Sequence, residues 1–308
     1  MDIVEQQLHV IKEKLISKDG EVVELHPDAE KQITQDLIYI NKVKNKEEKE
    51  RKKAFYDMQK VKTEFQEFIS EELGNFYFNF YKILPDDLAN QYKFRFLYLS
   101  CFIKHEDKLN RIGKKYQGFI LEKELKDFLM LSPKEYCYTK KAFLKYNLII
   151  INDDKTISVN KRYCLKGRLN RKESKQDYTR IFHNGIKELY EKSLSKDHKK
   201  IGLLVEMLPY VNYNHNILCF NPKEPDVNFI DPISVKNLCE IIGYSVENQA
   251  RFKKQLLTIK VNNEYALLIT DKGETQTITI NPRIYYKGND LDALKNIINY
   301  FIIDKKNI

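Results

Sequence analysis

Residues 156–167 read TISVNKRYCLKG and residues 277–288 read TITINPRIYYKG. Six of the twelve positions are identical: Thr, Ile, Asn, Arg, Lys and Gly. Upstream of each motif an ordered set repeats at an offset of 113 residues. Ile120, Leu125, Phe128, Leu129, Ser132, Phe143 and Leu144 correspond to Ile233, Leu238, Ile241, Ile242, Ser245, Leu256 and Leu257. By the final motif the offset has grown to 121, which puts eight extra residues between the last helix and the last strand of the second copy. A longer β-hairpin around 261–277 accounts for them. A short motif alone recurs by chance, but a motif joined to an ordered upstream set points to an internal duplication.

Each copy reads as helix, turn, helix, strand, turn, strand. In the first, 122–131 carries apolar residues at 125, 128 and 129, the spacing of an amphipathic helix. Ser132-Pro133-Lys134-Glu135 then supplies an N-cap serine, proline at the first helical position and glutamate at the third, predicting a capping box and a helix to about Tyr146. The β-rich runs 148–151 and 156–159 flank Asn152-Asp153-Asp154-Lys155, a hairpin signal. In the second copy a helix over 235–242 is followed by Gly243-Tyr244-Ser245, a helix to about Leu257, and strands near 265–270 and 275–280.

A helix-turn-helix backed by a hairpin is the winged-helix arrangement, whose second helix can enter the major groove while the hairpin reaches flanking phosphates. The predicted fold class is therefore mainly α with small β-hairpins (α+β): tandem winged-helix domains preceded by a long N-terminal helix. Tyr136, Thr139 and Phe143 form the inward stripe of the first reading helix, leaving Ser132, Lys134, Tyr138, Lys141 and Lys145 to face DNA. In the second, Phe252 and Leu256 face inward, leaving Asn248, Arg251 and Lys254. Asn suits adenine and Arg suits guanine. The motifs add Arg162 with Lys166 and Arg283 with Lys287, which strand alternation would place on one face as phosphate clamps. A solvated, lysine-rich surface is the plainer explanation of each of these cations, and Glu247 beside the second set would repel phosphate.

The charge distribution agrees with a polyanionic partner. The 308 residues carry 53 basic and 44 acidic side chains, a formal charge of +9. Residues 104–200 hold 25 basic and 13 acidic residues, so the remainder is slightly acidic. The densest stretch runs from Lys161 to Lys175 and includes Arg168, Arg171 and Lys172, opposed only by Glu173. Such a patch is the electrostatic footprint of phosphate neutralisation.

Other classes are disfavoured. Five cysteines without CxxC spacing and six scattered histidines give neither a disulfide framework nor a metal site, and no cofactor is expected. No apolar run approaches a membrane span, and the N-terminus lacks the layout of a secretory signal, so the expected compartment is the cytoplasm. Tyrosines are plentiful, but a set such as Arg180, His183 and Tyr285 can be drawn from almost any chain, and the expectation is a protein that is not an enzyme.

The expected organisation is an N-terminal hairpin and long helix (1–75), a first winged-helix domain (76–170), a linker helix (171–197), a second winged-helix domain (198–289) and a C-terminal helix (290–308). The small hairpin is expected over 15–26 around Lys18-Asp19-Gly20. Over 28–73, Ile33, Leu37, Ile40, Ala54, Met58, Val61, Phe65 and Phe68 keep one alternating 4,3 spacing, with Lys44, Glu47 and Arg51 on the same seam. That seam fits either a dimerising coiled coil or a helix packed on its own domain at both ends. A second copy of the chain is thus an open expectation as partner, through 28–73 or 290–303, beside double-stranded DNA and with no membrane.

The segments HKKIGLLVEMLPYVNYNHNILCFNP (198–222), IDPISVKNLCEIIGYSVENQARFKKQLL (230–257) and INPRIYYKGN (280–289) resemble the winged-helix replication and regulatory proteins of Firmicute plasmids and phages, in the broad RepL-like and MarR-like helix-turn-helix grouping. Residues 118–169 resemble the same pattern more loosely. The resemblance implies a mobile-element DNA-binding protein acting in replication initiation or transcriptional control, with its readers in the 132–146 and 245–257 helices. Cys137 and Tyr138 stand where that pattern is often polar or basic. The competing readings are a protein-interaction adaptor using the winged helices as partner surfaces, and a DNA recombinase or nicking enzyme.

Overall fold

Both copies of the duplicated motif turn at the same residue for the same reason. In the computed structural model, which describes residues 3–13, 24, 26–104, 108–111, 118–272 and 275–306, the Asn160 side chain accepts the Arg162 amide at 3.0 Å. Asn281 likewise accepts the Arg283 amide at 2.9 Å. This is a side-chain-closed turn, the conformation asparagine favours. The repeated motif is thus a hairpin strand, an asparagine turn and a short final strand, rather than one continuous strand.

The chain forms two compact units, Met1–Glu64 and Phe65–Ile308. The first holds α1 (Ile3–Glu13) and most of α2 (Pro27–Glu72), where the Asn41 side chain donates to Gln7 at 3.1 Å. The expected hairpin over 15–26 lies outside the described residues, apart from Glu24 and His26.

The second unit is mixed α/β. After the end of α2 come β1 (Phe76–Asn79), α3 (Asn90–Ser100), β2 (Asn110–Arg111) and β3 (Gly118–Phe119). Then follow α4 (Leu125–Phe128), α5 (Pro133–Lys145), the hairpin of β4 (Ile149–Ile151) and β5 (Ile157–Val159), and β6 (Cys164–Leu165). The second half has β7 (Thr179–Phe182), α6 (His183–Glu191), α7 (His198–Ile201), α8 (Leu203–Glu206), α9 (Val235–Ile241) and α10 (Gln249–Leu257). It closes with a small hairpin of β8 (Lys260–Val261) and β9 (Glu264–Tyr265), a larger one of β10 (Leu267–Lys272) and β11 (Thr275–Ile280), then β12 (Tyr285–Tyr286) and α11 (Leu291–Lys306).

The halves repeat each other bond by bond. Leu109 N donates to Ile157 O at 2.8 Å, as Leu218 N does to Ile278 O. Ile120 N donates to Leu109 O at 2.9 Å, as Ile233 N does to Leu218 O. Leu125 and Leu238, and Phe143 and Leu256, are fully buried pairs of equivalents.

A four-stranded sheet, ordered β12-β7-β1-β6, joins the halves. Leu165 pairs with Phe78, and its motif equivalent Tyr286 pairs with Arg180, so Phe78 and Arg180 occupy equivalent places. In the antiparallel β1–β7 pair these two face each other, with Tyr77 opposite Ile181 and Asn79 opposite Thr179. Equivalents meeting each other is the mark of a two-fold axis. The halves also meet at an ion pair between Lys93 and Glu206, at 2.6 Å. Beside it a Cβ on Gly202 would come within 2.2 Å of the Asn90 carbonyl, so α3 packs directly on the α7–α8 turn.

This arrangement corrects the expected linker. Over 171–197 the chain places β7 at the centre of the sheet, fully buried, before the nine-residue α6. One core cluster runs through Phe143, Ile157, Leu238, Phe252 and Ile278, so the two copies share an interior and no linker separates them. The helix expected over 122–131 is a single 3-10 turn followed by α4, and it ends where Met130 takes a φ of +50°. The apolar face of α11 is spent inside the unit, where Leu294, Ile298 and Phe301 pack with Phe65, Ile69, Phe182 and Tyr286.

Candidate nucleic-acid interface

Helix α5, expected to be the first reading helix, starts as its sequence dictates. Ser132 Oγ accepts the Glu135 amide at 3.3 Å and Pro133 occupies the first turn. The capping box is only half made, because the Glu135 carboxylate turns to the buried Arg95 instead. Arg95 also donates to Thr139 Oγ1 at 2.7 Å and to His198 Nδ1 at 3.1 Å, tying α3, α5 and α7 together. Thr139 and Phe143 are fully buried and Tyr136 is half-buried, so the inward stripe is as expected.

The opposite face carries Lys134, Tyr138, Lys141 and Lys145, all exposed and recurring every three or four residues, with Ser132 exposed at its start. That makes one continuous stripe. Lys145 is the most engaged of these: its Nζ lies 2.9 Å from the Tyr146 hydroxyl and 3.9 Å from Asp87. The Tyr146 contact and then the Asp87 charge hold its ammonium above the usual lysine range. Lys140, on the flank, is paired with Glu122 at 2.6 Å.

In the second half a 3-10 turn over 246–248 leads into α10, which buries Phe252 and Leu256 and exposes Asn248, Arg251 and Lys254. Ser245 stands at the cap position without a capping side-chain bond. Lys253 is tied at 3.2 Å to Asp271 on β10, which fixes the helix against its hairpin.

The basic run after β6 has its own internal logic. Asn170 Oδ1 accepts the amides of Lys172 and Glu173, each at 2.9 Å, and the Glu173 carboxylate accepts the Asn170 amide at 2.7 Å. The only acid of 161–175 is thereby used to close a turn. Lys161, Arg162, Arg168, Arg171, Lys172 and Lys175 are exposed. Lys166 is half-buried; burial first, then the nearby Lys187 ammonium, push its own below the usual range.

Two expected phosphate contacts are corrected. Lys287 is 4% exposed, and its Nζ donates to the carbonyls of Leu208 and, at 3.2 Å, Val211, with the Tyr81 ring 4.3 Å away. Burial pushes its ammonium down to about 7. Arg283 is spent on Glu264 at 3.2 Å and on the Glu72 carbonyl at 2.8 Å. Alternation misplaced both because the segment turns at Asn281 and then enters the sheet edge instead of staying extended.

Arg95, Arg180 and His198 were not singled out as partners by sequence. Arg180 is buried and donates to the carbonyls of Lys287 and Gly288, a bond made only when the two halves meet. No periodicity marks an arginine inside an aromatic run. Among the described residues no group of acidic, histidine or cysteine side chains could hold a metal, and no helix is long and apolar enough to cross a membrane. No family model matches the chain, and neither a curated protein nor a solved structure does.

Proposed function

We propose that the chain is a sequence-specific double-stranded DNA-binding protein in which each half of the 65–308 unit acts as a winged helix, α5 and α10 being the reading helices. The observation that carries this reading is the repeated exposure of a cationic stripe on the second helix of both halves, each backed by its own hairpin. The two-fold relation between the halves would present the two helices to two half-sites of one duplex from a single chain. The exposed 161–175 run supplies the sequence-independent attraction to phosphates. A role in replication initiation or transcriptional control, of the kind found in plasmid and phage winged-helix proteins, follows from the sequence resemblance.

Selection of bound fragments from random DNA, followed by footprinting, tests it. One or two helical turns of protection on a recurrent sequence is the expected result, with affinity falling steeply as salt rises. Arg251→Ala should relax discrimination at one base pair by about 1–3 kcal/mol, while Arg168→Ala should weaken all sequences alike. Equal binding to unrelated duplexes at physiological salt would overturn the specificity claim. A salt-independent partner, captured without DNA, would instead favour a protein adaptor.

A further inference from the structure

Helix α2 is bare for much of its length: every residue from 42 to 64 is exposed. Of its apolar seam positions, Ile40 is 44%, Met58 60% and Val61 58% exposed, while Ile33 and Leu37 are half-buried. A helix this long, with uncovered apolar residues on one stripe, gains little from its own sequence and is stabilised mainly by packing. The seam's charges decide what can cover it. A parallel, in-register pair of α2 helices would set Lys44 on Lys44, Glu47 on Glu47 and Arg51 on Arg51. Like charges at such core positions oppose pairing.

The antiparallel pair behaves differently. Layers equidistant from Lys49 bring Leu37 to Val61 of the second copy and Ile40 to its Met58. They also bring Lys44 to its Ala54 and Glu47 to its Arg51. The apolar ends of the seam then cover each other, and the charged middle is self-complementary twice over. Glu47 and Arg51 already lie 4.0 Å apart on one helix, so the pairing extends an existing contact into a four-charge cluster. We infer that α2 is a dimerisation arm whose partner is a second copy of this chain, docked antiparallel with residue 49 at the two-fold axis. This rests on α2 alone and is independent of the DNA-binding reading.

Sedimentation equilibrium of the full chain should return twice the 36.8 kDa chain mass at micromolar concentration. Glu47→Arg should weaken the dimer about tenfold or more, by setting like charges against each other, and Glu47→Arg with Arg51→Glu should restore it. In a Cys137→Ser background, since Cys137 is the exposed thiol, Ile40→Cys with Met58→Cys should form an intermolecular disulfide. Either cysteine alone should not, because copies of one position would lie roughly 27 Å apart along the pair. A monomer under these conditions overturns the inference. So does a dimer indifferent to the charge exchange, or one in which either single cysteine cross-links.

Discussion

Arg95 is 1% exposed and shares its guanidinium among Glu135, Thr139 and His198, so α5 is oriented by a charge inside the protein. The consequences of removing either partner should differ. Arg95→Met keeps volume and leaves Glu135 free to rehydrate, since its side chain is 44% exposed. Glu135→Ala instead strands a buried guanidinium. We expect Glu135→Ala to cost about 3–5 kcal/mol in urea unfolding and Arg95→Met clearly less. The reverse order would show that Arg95 is held by Thr139 and His198 alone.

At the scale of elements, α5 and the turn leading into α10 start from the same serine position with different chemistry. Ser132 makes its capping bond, and Ser245 at the equivalent place makes none. Ser132→Ala should therefore lower stability by about 1 kcal/mol, and Ser245→Ala by only a few tenths. Equal losses in thermal or urea unfolding would mean that both caps form in solution. The element boundaries that sequence placed well were those with local punctuation: the Ser132-Pro133 start of α5 and the Thr275–Ile280 strand. The boundary it misread was the start of the second half. Thr179-Arg180-Ile181-Phe182 continues into a helical pattern, and only pairing with β1 and β12 makes it a strand.

Across the whole molecule, burial sets how stability depends on pH. His183 is 5% and His198 2% exposed. Burial, and then neighbouring cations, push His183 down to about 3 and His198 to about 4. Arg95 Nε donates to His198 Nδ1, which requires that nitrogen unprotonated. Both rings are thus neutral in the folded chain and take up protons more readily when it unfolds. Their contribution is complete above the ordinary histidine value of 6.5 and is lost as pH falls from there toward 4, by about 1.4 kcal/mol per unit for each ring. The urea midpoint should fall already between pH 8 and 7, where only the unfolded chain fully protonates Lys287, and go on falling below 6.5 through the two rings. His198→Gln should flatten part of that fall. An unchanged midpoint from pH 7 to 5 would show that the rings are hydrated.

Legible in the residues alone were the duplication, the long helix, the Ser132 cap of α5, the hairpin of each copy, and the exposed stripes of α5 and α10. Those features are written in neighbouring residues, where periodicity, asparagine turns and helix punctuation act over a few positions. That the copies share one core and one sheet emerges only once the chain is folded. Only then do Lys287 and Arg283 turn inward, and only then is Arg95 buried under α5. Each of those outcomes depends on partners far away in sequence, Leu208 for Lys287, Glu72 for Arg283 and His198 for Arg95, and burial by distant chain segments leaves no local signature in a charged residue.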